Sequence, residues 1–284
     1  MARRNRLDVE LVRRGLARSR EQAAALIDAG RVEVRGVAAA KAAAMVDPAD
    51  AVRVLGDDPA LGYVSRGAHK LAGALAGTGL TATGRRCLDA GASTGGFTDV
   101  LLRAGAAEVI AVDVGYGQLA WPLRSDPRVR VLERTNARAI TAEQIGGRVE
   151  LTVADLSFIS LRLVLPALAD CTVPDGDLLL MVKPQFEVGR DKVGPGGVVR
   201  DATLRTEAVL SVTAAGAHRG LGVSSVIASP LPGPRGNVEF FVWFRRGAPA
   251  ADPEHVRAVV EAGPADQTGT AIQTGPVMEE GGAR

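Results

Sequence analysis

The chain has 284 residues, 46% of them apolar, which suits one or two globular domains with real cores. Lysine and arginine total 34 against 32 aspartates and glutamates, so bulk charge does not mark a nucleic-acid binder. No apolar run is long enough to span a membrane, and the two cysteines, Cys87 and Cys171, lie too far apart for a disulfide scaffold or a cysteine zinc site.

Residues 1–20 hold seven arginines and two acids, Asp8 and Glu10, whereas residues 21–58 hold four basic groups and seven acids. The basic character therefore sits at one end of the first segment, as a phosphate-backbone footprint would. The opening Met1-Ala2-Arg3-Arg4-Asn5-Arg6 lacks the apolar region of a secretion signal, and a cytoplasmic chain with buried thiols is expected. Leu7, Leu11 and Val12 form a helical stripe that stops at Gly15. Ser19 with Gln22 reads as a capping box opening a second helix, which buries Leu26 and Ile27 and ends at Gly30. Val32 and Val34 alternate with charged residues as a strand turning at Gly36, and Val52 with Val54 suggests a closing strand.

Residues 56–62, Gly-Asp-Asp-Pro-Ala-Leu-Gly, have linker composition. Beyond them strands and helices alternate, the pattern of a parallel sheet with crossover helices. Strands are predicted near 86–90, 108–113, 128–132, 149–154, 177–182, 222–228 and 237–245, and helices near 68–77, 97–104, 160–169 and 203–219. Residues 247–284, rich in Ala, Gly, Pro and Glu, show no sustained period and read as a disordered tail.

Two short helices, a strand pair and clustered arginines resemble the S-four RNA-binding domain, named after a small-subunit ribosomal protein. The resemblance rests on Arg3, Arg6-Leu7-Asp8, Leu11-Val12, Gly15, Ser19-Arg20, Ala24, Ile27, Gly30, Val32, Val34 and Gly36, with Lys41 beyond. It implies RNA contacts from Arg3, Arg4, Arg6, Arg18, Arg20 and Lys41, mostly to phosphates of structured RNA.

The run Cys87-Leu88-Asp89-Ala90-Gly91-Ala92-Ser93-Thr94-Gly95-Gly96-Phe97-Thr98 is a strand and its turn into a helix, where free N–H groups meet a ligand. The next strand ends at Asp113, placed to accept ribose hydroxyls of a nucleotide-like cofactor. No Gly-Lys-Ser/Thr follows, so the loop is not a P-loop, and its spacing is not the dinucleotide fingerprint. It resembles the S-adenosylmethionine loop of class I (Rossmann-like) methyltransferases, especially the FtsJ-related ribose methyltransferases. That family implies an α/β fold with a seven-stranded, mostly parallel sheet, here preceded by a small α+β RNA-binding domain. The cofactor-binding residues implied are Asp89, Gly91, Ser93, Gly95, Gly96, Phe97 and Asp113.

Only four lysines stand against thirty arginines, and lysine, unlike arginine, loses its proton readily when desolvated. Two of the four fall on the family's Lys-Asp-Lys-Glu tetrad: Lys70 in Ser65-Arg66-Gly67-Ala68-His69-Lys70-Leu71, Asp155, Lys183 in Leu180-Met181-Val182-Lys183-Pro184, and Glu239. The implied reaction is 2′-O-methylation of ribose. Lys183 would accept or steer the hydroxyl proton, while Asp155 and Glu239 would orient the two ammonium groups. Amine methylation fits poorly, because Asp155-Leu156-Ser157-Phe158 carries no proline. Cytosine C5 methylation fits no better, because neither cysteine follows a proline. Phe158 reads either as a platform for a base swung out of its helix or as ordinary core. Arg66 is a further RNA-binding candidate.

Both halves together resemble the TlyA family from about Arg3 to Arg246, on these segments and on Val112-Asp113-Val114-Gly115-Tyr116-Gly117-Gln118-Leu119 and Val182-Lys183-Pro184-Gln185-Phe186-Glu187. The family implies cytidine 2′-O-methylation of ribosomal RNA with S-adenosylmethionine as donor, in both ribosomal subunits for members with a full amino-terminal arm such as this one; no stable protein partner and no membrane are expected. The expected domains are 1–60, 61–246 and the tail 247–284. In Leu61-Gly62-Tyr63-Val64, Tyr63 stands where the resemblance leads one to expect Trp, and the preceding Arg expected there is absent. The family's older haemolysin label gives a rival class, a membrane-active protein, and an RNA-binding module without catalysis is a third.

Overall fold

The computed structural model describes residues 4–14, 16–17, 19–28, 30–47, 50–54 and 62–264. The chain divides into two units between Gly62 and Tyr63. The expected boundary, between 60 and 61, falls outside the described residues, as does the expected helix stop at Gly15.

The first unit opens with β1 (Asn5–Arg6), α1 (Leu7–Arg13) and α2 (Arg20–Asp28). The Ser19 hydroxyl accepts from Gln22 N at 3.1 Å, the expected cap, and Gly30 follows α2 in the left-handed region. Strand β2 (Val32–Val34) turns through Arg35 and Gly36, both at positive φ, into β3 (Val37–Ala38), as a tight hairpin requires. After β4 (Met45–Val46), β5 (Val52–Val54) pairs antiparallel with the other side of β2. A two-residue ladder of β1 on β4 was not predicted; strands this short carry no periodic signal. Leu7, Leu11, Leu26, Ile27 and Val32 form the core, with Val12 only partly buried against it.

In the second unit α3 (Gly67–Thr78) precedes the first strand of a large sheet, β6 (Arg86–Ala90). There follow α4 (Gly96–Arg103), β7 (Glu108–Val112), α5 (Trp121–Arg124), β8 (Val129–Leu132) and β9 (Val149–Ala154). Next come α6 (Leu161–Cys171), β10 (Thr172–Val182), α7 (Pro184–Glu187), α8 (Ala202–Ala217), β11 (Leu221–Ala228) and β12 (Phe240–Arg246). The strand order is β11-β12-β10-β9-β6-β7-β8, and only β12 runs antiparallel to its neighbours. This is the expected seven-stranded, mostly parallel sheet.

Alternation along the strands feeds two cores, one on each face. Leu88, Ile110 and Val242 pack with α6 and α8; Cys87, Val109 and Phe241 pack with α3 and α4. The chain starts at β6, moves out to β8, then returns to β9 on the other side. The crevice at the carboxyl ends of β6 and β9 is thus the topological switch point, where ligands of such sheets bind.

The tail expected from 247 onward is corrected in its first part. Helix α9 (Pro253–Ala262) starts on an Asp252 cap that accepts from Glu254 N, with proline in its first turn. It buries Val256 and Val260 against the sheet-and-helix core. One four-residue repeat is too short to stand out in an Ala-Pro-Glu background. Residues 265–284 lie outside the described residues.

Candidate active site

Asp89 sits in β6 with its side chain fully buried. Its Oδ2 accepts from the Thr98 hydroxyl at 2.7 Å, and Oδ1 is buried without a hydrogen-bond partner. Burial, reinforced by the Asp155 and Asp113 carboxylates, pushes the Asp89 carboxyl up to about 7. The chain then turns at Gly91, at φ +88°, where a Cβ would lie 2.6 Å from the Asp155 carbonyl oxygen. Gly96 opens α4 against α3, where a Cβ would meet the Ser65 hydroxyl and, at 2.9 Å, Ala68 N.

Asp113, just past β7, accepts from Ser93 N at 2.8 Å and from Gly115 N at 2.7 Å, and so draws the loop between β6 and α4 onto the end of β7. Each carboxylate oxygen keeps lone-pair capacity for a ribose hydroxyl. Phe97 is 4% exposed and stacks on Phe241 with ring centroids 6.1 Å apart. It belongs mainly to the core under the site and only borders the cavity above.

The tetrad assembles as two ion pairs. Lys70, one turn into α3, donates to Glu239 Oε2 at 2.5 Å. Lys183, just past β10, lies 2.5 Å from Asp155 Oδ1 and donates to the Ser157 hydroxyl at 3.0 Å. Glu239 precedes β12 rather than lying within it, since that strand starts at Phe240, three residues later than predicted. The Gln185 amide donates to Glu239 Oε1 at 3.4 Å. Ser157 and Gln185 are site residues that sequence reasoning passed over, although each stands two residues past a tetrad member.

Two cavities meet at Lys183. One, of about 340 Å³, is lined by Arg66, Lys70, Gly91, Ser93, Asp155 and Lys183. The other, of about 770 Å³, is lined by Phe158, Gln185, Phe186, Arg190, Glu239 and Lys183. Ser157, Lys183 and Pro234 border both.

Phe158 is 89% exposed at φ +63°, with its ring 5.3 Å from that of Phe186. The core reading of Phe158 is thereby excluded, because the ring is exposed rather than packed. The buried Glu187 carboxylate fixes the base of this loop, accepting from the Ser160 hydroxyl at 2.6 Å and from Leu161 N at 2.7 Å.

Tyr63 packs edge-on to His69, under the Arg103 guanidinium. Both cysteines are free and buried, and burial pushes Cys87 up to about 12 and Cys171 to about 11, so neither supplies a nucleophilic thiolate.

In the first unit, Arg4 and Lys41 are exposed. Arg6 and Arg20 are exposed too, and both pair with Asp8 at 2.9 Å. Arg3 and Arg18 lie outside the described residues.

The strand order, the turn at the switch point and the paired tetrad define a class I methyltransferase, dependent on S-adenosylmethionine. The chain belongs to the TlyA family of FtsJ-like methyltransferases. The family model described as FtsJ-like methyltransferase matches residues 63–246, and that of the S4 domain matches residues 5–52. The protein named 16S/23S rRNA (cytidine-2′-O)-methyltransferase TlyA from Mycobacterium tuberculosis is 58% identical over 97% of this chain and 100% of its own. Hemolysin A of Brachyspira hyodysenteriae is 36% identical over 84% of this chain and 99% of its own. A solved structure of a hemolysin-named protein from Streptococcus thermophilus matches with a TM-score of 0.68 and 39% identity, covering 92% of this chain and 96% of that one.

The residues present fit the cofactor. The smaller cavity is lined by the Asp155 carboxylate and by the glycine loop, and the buried Asp89 oxygen without a hydrogen-bond partner sits in the strand that leads into that loop, an acceptor set that suits a cationic, donor-bearing cofactor.

Proposed function

We propose that the protein methylates the 2′-oxygen of cytidine in ribosomal RNA of both ribosomal subunits. The observation that carries this reading is the position of Lys183, at the junction of the two cavities, between the Asp155 carboxylate and the Ser157 hydroxyl. S-adenosylmethionine supplies an electrophilic methyl group on a cationic sulfur. Gly91, Ser93, Gly95 and Gly96 hold it along the loop, with Asp113 at its ribose and Asp89 beneath.

The larger cavity takes the nucleotide. Phe158 stacks on the base, and the Phe186 ring supports it from within the cavity wall. Lys183 would hold the ribose hydroxyl toward the methyl group and steer its proton to solvent water as the O–CH3 bond forms, the S–CH3 bond breaks and S-adenosylhomocysteine leaves. Asp155 fixes the Lys183 ammonium; Glu239 fixes that of Lys70, on the cofactor side. Alignment of this kind supplies much of the rate in a bimolecular transfer. The exposed cations Arg4, Arg6, Arg20, Lys41 and Arg66 hold the RNA by its phosphates, and Arg3 and Arg18 join them by their place in the motif.

The haemolysin reading finds no support in the fold: among the described residues no helix is long and apolar enough to cross a membrane. The test is methyl transfer from labelled S-adenosylmethionine to separated ribosomal subunits, with nucleoside mass spectrometry of the digested RNA. The reading expects 2′-O-methylcytidine from each subunit. Label on a base, or none in either subunit while the cofactor binds, would overturn it.

A further inference from the structure

The first unit buries two carboxylates among its arginines. Asp8 and Glu10 are buried, at 3% and 0% exposure, in the first turn of α1, within the most arginine-rich part of the chain. Asp8 accepts from Arg6 through Nε at 3.0 Å and Nη2 at 2.9 Å, and from Arg20 through Nε at 3.2 Å and Nη2 at 2.9 Å. Both arginines reach the same oxygen, Oδ2. Glu10 does the same for Arg13, through Nε at 2.8 Å and Nη2 at 2.6 Å, and takes Arg14 Nε at 2.7 Å. Asn5 completes the Glu10 shell at 3.0 Å. The guanidinium donors hold both carboxyls well below the usual carboxylate range.

We infer that Asp8 is a positioning residue for RNA recognition, a buried carboxylate that fixes Arg6 and Arg20 as a preformed pair for the phosphates of folded RNA, with Glu10 doing the same for Arg13. The inference rests on the reading that this unit holds RNA. A guanidinium has five N–H donors in a rigid fork, and the contact to Asp8 uses one edge of it. The other edge remains for phosphate, and the side chains stay 44% and 61% exposed. A free arginine loses rotamer freedom when it is fixed. Here that loss occurs on folding, so less of it falls on RNA binding.

The inference makes a prediction opposite in sign to net charge. Asp8→Ala raises the local charge by one, and a purely electrostatic footprint would then bind RNA more tightly. Positioning requires the reverse. The experiment measures methyl-transfer kinetics on separated ribosomal subunits and equilibrium binding to them across a salt series, with a random-sequence RNA duplex as the unspecific probe. The full-length wild type is compared with Asp8→Ala, Asp8→Asn and Arg20→Ala.

Asp8→Ala is expected to raise KM for the subunit about tenfold while kcat stays within about twofold, and to bind the random duplex at least as tightly as wild type. Asp8→Asn, which keeps the shape and one acceptor oxygen, should fall between Asp8→Ala and wild type, and it carries the test should Asp8→Ala fail to fold. Arg20→Ala should lower the salt slope by about 0.7 to 0.9, whereas Asp8→Asn should leave it unchanged. Subunit binding by Asp8→Ala, or by Asp8→Asn if that variant stands in, as tight as wild type or tighter overturns the positioning role while the Arg20→Ala result still supports RNA binding by this unit. An Arg20→Ala variant indistinguishable from wild type at every salt overturns both.

Discussion

The two units use the same pairing, a carboxylate against a cation, for opposite ends. In the first unit the carboxylates Asp8 and Glu10 are buried, and of their four arginine partners Arg6, Arg13 and Arg20 face solvent while Arg14 is mostly buried. In the second, buried carboxylates also hold exposed arginines, as Glu187 does Arg162 and Asp99 does Arg103, but at the tetrad the cation is a lysine that is itself nearly buried: Lys70 with Glu239, and Lys183 with the half-buried Asp155. An exposed planar guanidinium suits a repeating phosphate backbone, where several contacts each contribute a little. A buried ammonium suits one oxygen atom at one place. Two of the chain's four lysines, Lys70 and Lys183, stand at these buried pairs, and the other two, Lys41 and Lys192, are exposed.

The largest effect that sharpens this contrast is on stability. Glu239→Ala leaves Lys70 buried without its partner and should cost about 3–5 kcal/mol. Asp8→Ala leaves its arginines free to reach water and should cost about 1 kcal/mol, as for an exposed pair. Denaturant unfolding of the two variants checks the difference; equal losses would break the comparison.

Next in size is Phe158→Ala. Loss of a stacked base should cost about 1–3 kcal/mol in kcat/KM on ribosomal subunits. Stacking is not screened, so the loss should be the same at low and high salt, whereas the Arg20→Ala defect should shrink as salt rises. A Phe158→Ala defect that tracks salt would contradict base stacking by that ring.

A further contrast concerns pH. Asp8 and Glu10 have folded pKa values below their unfolded ones, so they stabilise the protein above about pH 4, and that stability is lost as pH falls below it. Asp89 has the opposite sign. Its folded pKa, about 7 against an ordinary 3.8, means the folded state binds the proton more tightly. Its contribution to stability therefore declines as pH rises from about 4 to about 7, at no more than about 1.4 kcal/mol per unit. Thermal unfolding of the cofactor-free protein should show this decline between pH 5 and 7, and Asp89→Asn should flatten it. Parallel curves for the two proteins would contradict the assignment.

The large sheet was legible because its strands are apolar runs bounded by turn residues: Leu178 to Val182 and Phe240 to Phe244 are buried throughout except Trp243, and they pair with each other. The tetrad was legible because each member stands at or next to a strand end or in the first turns of a helix. What stayed hidden depends on three dimensions. Asp8 and Glu10 read in sequence as two acids that dilute a basic cluster; only burial reveals them as its framework. Phe158 reads as core or contact until its exposure is known, because Asp-Leu-Ser-Phe-Ile-Ser has no period that assigns it a face. Helix α9 was lost in a composition that resembles a tail, and the β1–β4 ladder is too short for any pattern.

The most direct test of the central claim is a single-turnover measurement with saturating S-adenosylmethionine and saturating ribosomal subunit, wild type beside Lys183→Ala, scored as 2′-O-methylcytidine. Lys183 at the junction of the two cavities predicts a rate about 10²–10⁴-fold lower, with cofactor affinity and subunit binding retained. Transfer by Lys183→Ala at the wild-type rate would contradict it.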